Sequence, residues 1–192
     1  DMTPVKTQFQ LLKLVVPTAQ KVGIVTNPGE ANSVIVTEHA RQACEELGLR
    51  LIEVVGSNSS EMITALTAAV GELDALYVGT DNTAASCIES LHRITVSNKV
   101  PMMCGDFTLA RSGGVMAYGF DYFNLGLDTG KIVWEILNGK PVSDIESRLM
   151  NADSLLLLIN MDVAEEISLA IPDLLIARAD FLIVNGSEQQ KR

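Results

Sequence analysis

Small polar and acidic residues follow two apolar runs of this chain. Thr80, Asp81 and Asn82 come after one run, and Asp106 comes after the next. If these runs are strands of an open parallel sheet, the residues just beyond their carboxyl ends line the ligand crevice. A carboxylate in such a place can accept several hydrogen bonds from an ammonium or hydroxyl group. These residues therefore predict a site that captures a small polar molecule carrying a hydrogen-bond donor.

Helix capping is an alternative role for the same residues. An Asp or Asn side chain at the start of a helix accepts hydrogen bonds from the first backbone amides of that helix. In this role, Asp81 or Asn82 would serve the helix that follows the strand. Capping and ligand binding can coexist, so the sequence leaves both open.

A second polar pair lies at the predicted start of an earlier helix. Asn32 and Ser33 follow the turn 27–29, whose sequence is Asn-Pro-Gly. Free backbone N–H groups and the positive end of a helix dipole attract a carboxylate. Together with the acidic residues, this pair predicts a bipolar site that suits a zwitterionic amino acid. An ordinary N-cap is the alternative interpretation.

The composition restricts the classes of partner. The 192 residues include 14 basic and 24 acidic side chains, which give a net charge of −10. No basic patch stands out, which argues against nucleic acid and anionic membrane surfaces as partners. The three cysteines have no ligand-like spacing with one another or with histidine, so we expect no metal site and no cofactor.

Apolar runs alternate with amphipathic segments along most of the chain, which predicts an α/β fold. We expect a three-layer α/β/α parallel sheet, in which helices cover both faces. A longer helix over 122–138 and a polar, irregular linker over 143–154 precede the last predicted strand, and 185–192 form a disordered tail. The predicted strands are 22–26, 49–55, 74–78, 100–104, 114–118 and 155–160.

Several residues predict where helices begin and end. Gly48 ends the helix that follows the first strand, because glycine readily adopts the left-handed conformation found there. Ser59 or Ser60 caps the next helix, and Asp162 caps the helix after the last predicted strand.

Four segments resemble those of one protein family, in the same order and with the same spacing. On these segments the chain is similar to the substrate-binding proteins of bacterial ABC importers, of the periplasmic-binding-protein-like I fold. The most similar branch includes tryptophan and tyrosine binders, and the resemblance covers nearly the whole chain. The segments are Lys21-Val-Gly-Ile-Val-Thr-Asn-Pro-Gly-Glu-Ala-Asn-Ser33, Asp74-Ala-Leu-Tyr-Val-Gly-Thr-Asp-Asn82, Gly119-Phe-Asp-Tyr-Phe-Asn-Leu-Gly126 and the stretch 171–180.

This resemblance implies a function as well as a fold. Family members have two lobes, each a parallel sheet with flanking helices, and they trap a ligand between the lobes without making or breaking a bond. The resemblance implies a periplasmic or otherwise extracytoplasmic protein, secreted or lipid-anchored, that delivers a solute to the membrane permease of an importer. An amino-acid-like solute, aromatic in the most similar branch, is the implied ligand.

The chain departs from the family at its amino-terminal side. Family members carry about a hundred further residues there, the usual length of a domain. We therefore expect residues 1–121 to form the carboxy-terminal-type ligand-binding lobe. Residues 122–184 would belong with a missing amino-terminal lobe. Unpartnered in this chain, those elements would pack in a homodimer, in a swapped assembly or in a rearranged position.

Aromatic residues lie where the family chain crosses between lobes. Tyr118 and Phe120, clustered with Tyr122, predict an aromatic wall that stacks on a ring-bearing ligand. Packing at the hinge is the alternative. Asp121 falls in a Gly-x-Asp-Tyr motif of the family and is predicted to cap the helix that begins at Tyr122.

Two other function classes remain open on the sequence alone. The same fold serves as the ligand-sensing domain of regulators and receptors. An enzyme on a doubly wound sheet is the other alternative, because fold alone does not determine function. Against an enzyme, the sequence contains neither a Gly-x-Gly-x-x-Gly fingerprint nor a Gly-Lys-Ser/Thr phosphate loop, and no Ser/His/Asp constellation is evident.

Overall fold

The computed structural model describes residues 3–120, 122–146 and 155–191. Its strands are β1 Lys21–Thr26, β2 Arg50–Val55, β3 Ala75–Val78, β4 Met102–Cys104, β5 Met116–Phe120, β6 Leu155–Asn160, β7 Phe181–Val184 and β8 Ser187–Gln190. Its α-helices are α1 Val5–Val15, α2 Ala31–Leu47, α3 Ser59–Ala69, α4 Asn82–Ser86, α5 Ile88–Ser97, α6 Phe107–Arg111, α7 Tyr122–Leu137, α8 Met161–Glu166 and α9 Asp173–Arg178. Short 3-10 helices cover Val70–Glu72 and Val142–Asp144.

The strands form one mostly parallel sheet in the order β2-β1-β3-β4-β5-β6-β7-β8. Strands β1 to β5 pair in parallel, as the alternation of strands and helices predicts. Two pairs depart from the predicted parallel arrangement, because β6 runs antiparallel to β5 and β8 antiparallel to β7. The chain returns at the edge where β5 ends, since Leu155, the first residue of β6, lies opposite Phe120.

Helices cover both faces of the sheet, which confirms the predicted three layers. Because side chains alternate along a strand, β3 contributes to two cores. Ala75 and Tyr77 belong to the core beneath α1 and α2, and Leu76 and Val78 belong to the core beneath α3, α5 and α6. Strands buried on both faces read as continuous apolar runs, which is why the sequence reveals them.

The assignment of 122–184 to another lobe is wrong for the part that begins at Leu155. Strands β6 and β7 extend the sheet next to β5, and Leu158 and Ile159 are fully buried in its two cores. Helix α7 is different, because none of its described residues is buried. Trp134 is 66% exposed and Leu137 is 80% exposed, so α7 does leave an apolar surface uncovered.

The described part of the tail, residues 185–191, is not the disordered segment that its composition predicts. Strand β8 pairs with β7 through a two-residue turn at Asn185 and Gly186, whose φ angles are 53° and 71°. Asn-Gly is the strongest short hairpin signal, because both residues tolerate a positive φ. The Asp162 carboxylate accepts hydrogen bonds from both turn amides at 2.7 Å. Asp162 therefore fixes this hairpin, and Asn160 instead caps α8.

Other helix ends follow the sequence in part. Gly48 ends α2 in a left-handed conformation, as predicted. Asn58 caps α3 through the Glu61 amide, so the predicted Ser59 and Ser60 caps are wrong. The next predicted helix is broken at Cys87 into α4 and α5.

Some predictions fall outside the described residues. They concern Asp121 and most of the linker, residues 147–154. No helix in the described part of the chain combines the length and the apolar character needed to cross a bilayer.

The hairpin gives a testable prediction about the tail. Gly186→Ala should lower the free energy of unfolding by about 1–2 kcal/mol, because a Cβ is strained at a positive φ. Gly126→Ala, in the exposed helix α7, is the matched control and should stabilise by up to about 1 kcal/mol. Urea unfolding measures both. A neutral Gly186→Ala variant would mean that the tail is disordered after all.

Candidate functional site

The carboxyl ends of β3, β4 and β5 meet in close backbone contact. The Gly105 amide donates a hydrogen bond to the Val78 carbonyl at 2.7 Å. A Cβ on Gly105 would lie 3.2 Å from the Gly79 Cα, and a Cβ on Gly119 would lie 2.9 Å from the Gly105 carbonyl oxygen. Larger residues would push these strand ends apart. We call the residues at this edge, 27–33, 80–83, 106 and 120, the rim.

Asn32 and Thr80 lie in contact on the rim. The Asn32 side-chain amide, in the first turn of α2, donates to the Thr80 carbonyl at 2.8 Å. With His39, both residues line an open cavity of about 180 Å³ beside the start of α1. The sequence prediction that these two loops converge is met here.

Asp81 and Ser33 are buried within the rim and their polar atoms are already used. The Asp81 carboxylate accepts hydrogen bonds from the amides of Asn27 and Ala84, at 2.8 and 2.7 Å. The Ser33 hydroxyl lies 3.1 Å from the Asn27 amide and 3.0 Å from the Thr26 hydroxyl. The capping role of Asp81 is confirmed, and these contacts tie the end of β1 to the end of β3. A ligand contact of either residue stays a prediction.

Asn82 is held by a residue that the sequence reasoning missed. Glu30 Oε2 accepts hydrogen bonds from the backbone and side-chain amides of Asn82, at 2.9 and 2.7 Å. Its Oε1 accepts from the amide and the hydroxyl of Thr83, at 3.1 and 2.8 Å. Burial raises the pKa of the Glu30 carboxyl, but these hydrogen bonds outweigh it and hold that pKa below its usual 4.5. No local sequence signal links residues this far apart.

Only one of the two carboxylate oxygens of Asp106 accepts a hydrogen bond from a described residue. Its Oδ1 caps α6 by accepting the Leu109 amide at 3.0 Å, whereas no described residue donates a hydrogen bond to its Oδ2. The side chain is half-buried at the rim. Burial, and secondly the charge of Asp106, raise the pKa of the Tyr122 phenol. Asp106 thus retains an acceptor to which no residue in the described part of the chain donates.

Tyr118 and Phe120 differ in their position relative to the rim. Tyr118 lies away from it, whereas Phe120 belongs to it. Tyr118 packs against the core beneath α1 and lines a separate cavity of about 450 Å³ with Leu11 and Leu175. This position favours the packing alternative for Tyr118. Phe120 is half-buried at the very end of β5, opposite Leu155. Their contact with a ligand stays a prediction.

Gln8 supports the rim from below and was also missed. It is fully buried in α1, and its side-chain amide donates to the carbonyls of Tyr118 and Gly105, at 2.6 and 3.3 Å. Its carbonyl oxygen accepts from the Tyr77 hydroxyl at 2.6 Å. A glutamine on the apolar face of an amphipathic helix is the signal that could have revealed it, because buried polar side chains need partners.

The described residues give little support for metal or thiol chemistry. In this part of the chain, no group of three or more His, Cys, Asp and Glu side chains could hold a metal ion. Cys44, Cys87 and Cys104 are buried as free thiols, and burial raises the pKa of Cys44 to about 11. What the rim offers is a set of hydrogen-bond donors and acceptors.

The different use of the two carboxylates gives a testable prediction. Asp81→Asn should lower the free energy of unfolding by about 1–3 kcal/mol, because the amide group leaves one buried N–H without an acceptor. Asp106→Asn is the matched control and should cost under about 0.5 kcal/mol, because asparagine caps a helix as well as aspartate does. Urea unfolding compares the variants. Equal losses would contradict this division of roles.

The chain is similar to proteins of one known family. Residues 1–183 match the protein family described as ABC transporter substrate binding protein. A curated relative, the tyrosine-binding protein of Clostridioides difficile (strain R20291), is 30% identical over 169 residues, which are 88% of this chain and 48% of the relative. The chain therefore spans about half the length of the curated relative that it matches.

Solved structures agree with the fold. A conserved domain protein from Vibrio cholerae O1 biovar El Tor is 30% identical, with a TM-score of 0.88 over 96% of this chain and 61% of that one. An ABC domain from Streptococcus pneumoniae, solved in complex with L-Trp, is 24% identical with a TM-score of 0.84 over 94% of this chain and 60% of that one, a likeness of fold alone. Because the family match extends over nearly all of its residues, this chain belongs to the family of ABC transporter substrate-binding proteins.

Proposed function

We propose that the rim binds an amino-acid-like solute, without chemical conversion, as part of a bacterial ABC import system. The observation that carries this proposal is the Oδ2 of Asp106, a half-buried acceptor to which no described residue donates, at the edge where strands β3 to β5 meet. A ligand ammonium donating to this oxygen makes a charge-assisted hydrogen bond. The family and the curated relative are both described as binding proteins, which favours binding over the enzyme hypothesis.

The opposite end of the solute would meet helix α2. No side chain caps this 17-residue helix, so the first backbone amides keep their donors available. Those amides and the helix dipole attract a carboxylate. Asn32 and Thr80 lie in contact at the same helix end. A solute that placed its ammonium on Asp106 and its carboxylate on these amides would be a zwitterion.

An aromatic amino acid is the proposed ligand class. The charge of Asp106 contributes to the raised pKa of Tyr122, and Tyr122 is 45% exposed, so its ring would be available to stack on a ligand at this rim. The tyrosine-binding relative supports the same class. Phe120, at the end of β5, is the second aromatic side chain proposed to contact the ligand.

The whole protein would act outside the cytoplasm, as a periplasmic or lipid-anchored receptor. Its proposed macromolecular partner is the membrane permease of the importer. The closure of two lobes around the ligand, a hinge motion on the microsecond-to-millisecond scale, would signal loading to that permease.

Helix α7 would pack against the second lobe. Its exposed apolar side chains include Phe123, Leu127, Trp134 and Leu137. Apolar patches of this kind on a soluble domain mark contact surfaces. The match covers only 48% of the curated relative, so that relative contains further residues that could cover the helix. A homodimer through α7 is the competing arrangement.

Ligand binding is tested by titration calorimetry with L-tyrosine and other L-amino acids. Asp106→Asn should weaken L-tyrosine binding about 10- to 100-fold, through loss of a hydrogen bond to a charged group worth about 1.5–3 kcal/mol. The variant keeps the helix cap and changes only the charge. Deaminated tyrosine (4-hydroxyphenylpropionate) is the matched ligand, and its weaker binding should be insensitive to the substitution.

Because one lobe forms half of a cleft, the titration includes a chain extended to the length of the relatives. Glu45→Gln, an equal charge change on an exposed part of α2, should leave the affinity unchanged. An extended chain that binds no amino acid would refute the proposed function. Equal affinity of wild type and Asp106→Asn would remove Asp106 from the site.

The packing of α7 is tested through Trp134, the only tryptophan of the chain. In this chain its fluorescence should be strongly quenched by acrylamide, because the indole is 66% exposed. In the extended chain the quenching should fall several-fold and the emission should shift to the blue. Equal quenching in both chains would contradict the second-lobe contact. Quenching that falls with concentration, together with a doubled sedimentation mass, would support the homodimer.

A further inference from the structure

The Glu30 carboxylate, in the loop between β1 and α2, accepts hydrogen bonds from the start of α4. We call this set of hydrogen bonds to Asn82 and Thr83 the grip. Glu30 directly precedes α2, yet its side chain does not cap that helix. It reaches instead to Asn82 and Thr83, the first two residues of α4, and accepts hydrogen bonds from both backbone amides and both side chains. A further, longer contact joins it to the Asn27 side chain at 3.3 Å.

Among the described residues, Glu30 is the acceptor for the backbone amides of Asn82 and Thr83. Asp81, the N-cap of α4, takes the third amide of the helix, that of Ala84. The first amides of a helix have no partner within it, so without Glu30 those of Asn82 and Thr83 would lack a protein acceptor. Thr80, whose carbonyl accepts from Asn32, stands two residues before this grip.

The grip depends on the carboxylate being ionised. Every described partner of Glu30 is a donor, and none of the ion pairs between described residues includes it. Asp81 is the other carboxylate of this network, since it accepts a hydrogen bond from the amide of Asn27, whose side chain contacts Glu30. A neutral glutamine at this position has one acceptor oxygen and one N–H₂ group. The N–H₂ group would then lie opposite N–H groups of Asn82 or Thr83, to which it cannot donate a hydrogen bond.

We propose that Glu30 is a positioning residue of the ligand rim: its carboxylate locks the β1–α2 loop to the β3–α4 loop, so that Asn32 and Thr80 are held in their binding geometry. This inference rests on the proposed function of the rim. It adds a residue that need not touch the ligand. It also predicts that the rim loosens in acid, as Glu30 takes up a proton.

The test compares Glu30→Gln, Glu30→Asp and the control Glu45→Gln. Amide hydrogen exchange measured by NMR reports the grip without any ligand. In Glu30→Gln, exchange at Asn82 and Thr83 should become at least about tenfold faster, because the amides lose a hydrogen bond. Glu30→Asp, which keeps the charge on a shorter side chain, should restore part of the protection. Glu45→Gln should change neither amide.

Acid titration of the wild type gives a second readout that needs no substitution. The resonances of Asn82 and Thr83 should titrate together with a midpoint below pH 4.5, because the carboxylate is favoured in the folded state. The stabilisation from Glu30 is fully present above the unfolded-state pKa of about 4.5. It is lost as the pH falls through the lower folded-state pKa. Unchanged exchange in Glu30→Gln, or separate titration of the two amides, would overturn the grip.

Ligand affinity then tests the positioning role. With the extended chain, Glu30→Gln should weaken L-tyrosine binding about tenfold, and Glu30→Asp should recover part of that loss. Faster exchange with unchanged affinity would refute the positioning role. If wild type binds no amino acid, the proposed function fails, while the exchange and acid titration still decide whether the grip exists.

Discussion

The candidate site depends on close backbone contacts between glycines at three neighbouring strand ends. A Cβ on Gly119 would lie only 2.9 Å from the Gly105 carbonyl oxygen, and a Cβ on Gly105 would make a tight contact of 3.2 Å with the Gly79 Cα. These contacts draw the ends of β3, β4 and β5 together, and the loops that follow them then share one edge. The polar residues of the rim are neighbours because of these contacts, although they are scattered along the sequence.

Within that edge, similar residues have different roles. Asp81 has both oxygens bonded to backbone amides and is a buried link between two loops. Asp106 caps a helix with one oxygen and keeps the other available. Glu30 completes the network from the neighbouring loop. A binding site of this kind needs side chains that hold the loops still as well as side chains that face the solute, because preorganisation reduces the cost of binding.

Much of the fold could be predicted from the sequence, because buried strands and amphipathic helices have distinct apolar periods. The antiparallel return of β6 could not, since Leu155 to Asn160 reads as a buried strand in either direction. The hairpin at Asn185 and Gly186 carries a clear local signal that a polar composition obscured. Asp162 looks like a helix cap in sequence and serves that distant turn instead.

The placement of the candidate site residues was predictable in outline and not in detail. Strand ends followed by Thr80 and Asp106 indicate a shared edge, and the fold bears this out. Which carboxylate is free depends on partners in other loops, such as the Asn27 amide that bonds Asp81. The grip of Glu30 on Asn82 spans 52 residues of sequence. Side-chain spacing along one segment carries no information about such a contact.

The central claim is that the rim is where a solute binds, and amide chemical-shift mapping during titration with L-tyrosine tests it most directly. We expect the largest shifts at Asn32, Thr80 and Asp106, on one edge of the sheet. Shifts centred instead on Leu11 and Leu175, around the 450 Å³ cavity beside α1, would contradict the claim. Saturating tyrosine that shifts no rim amide would contradict it as well.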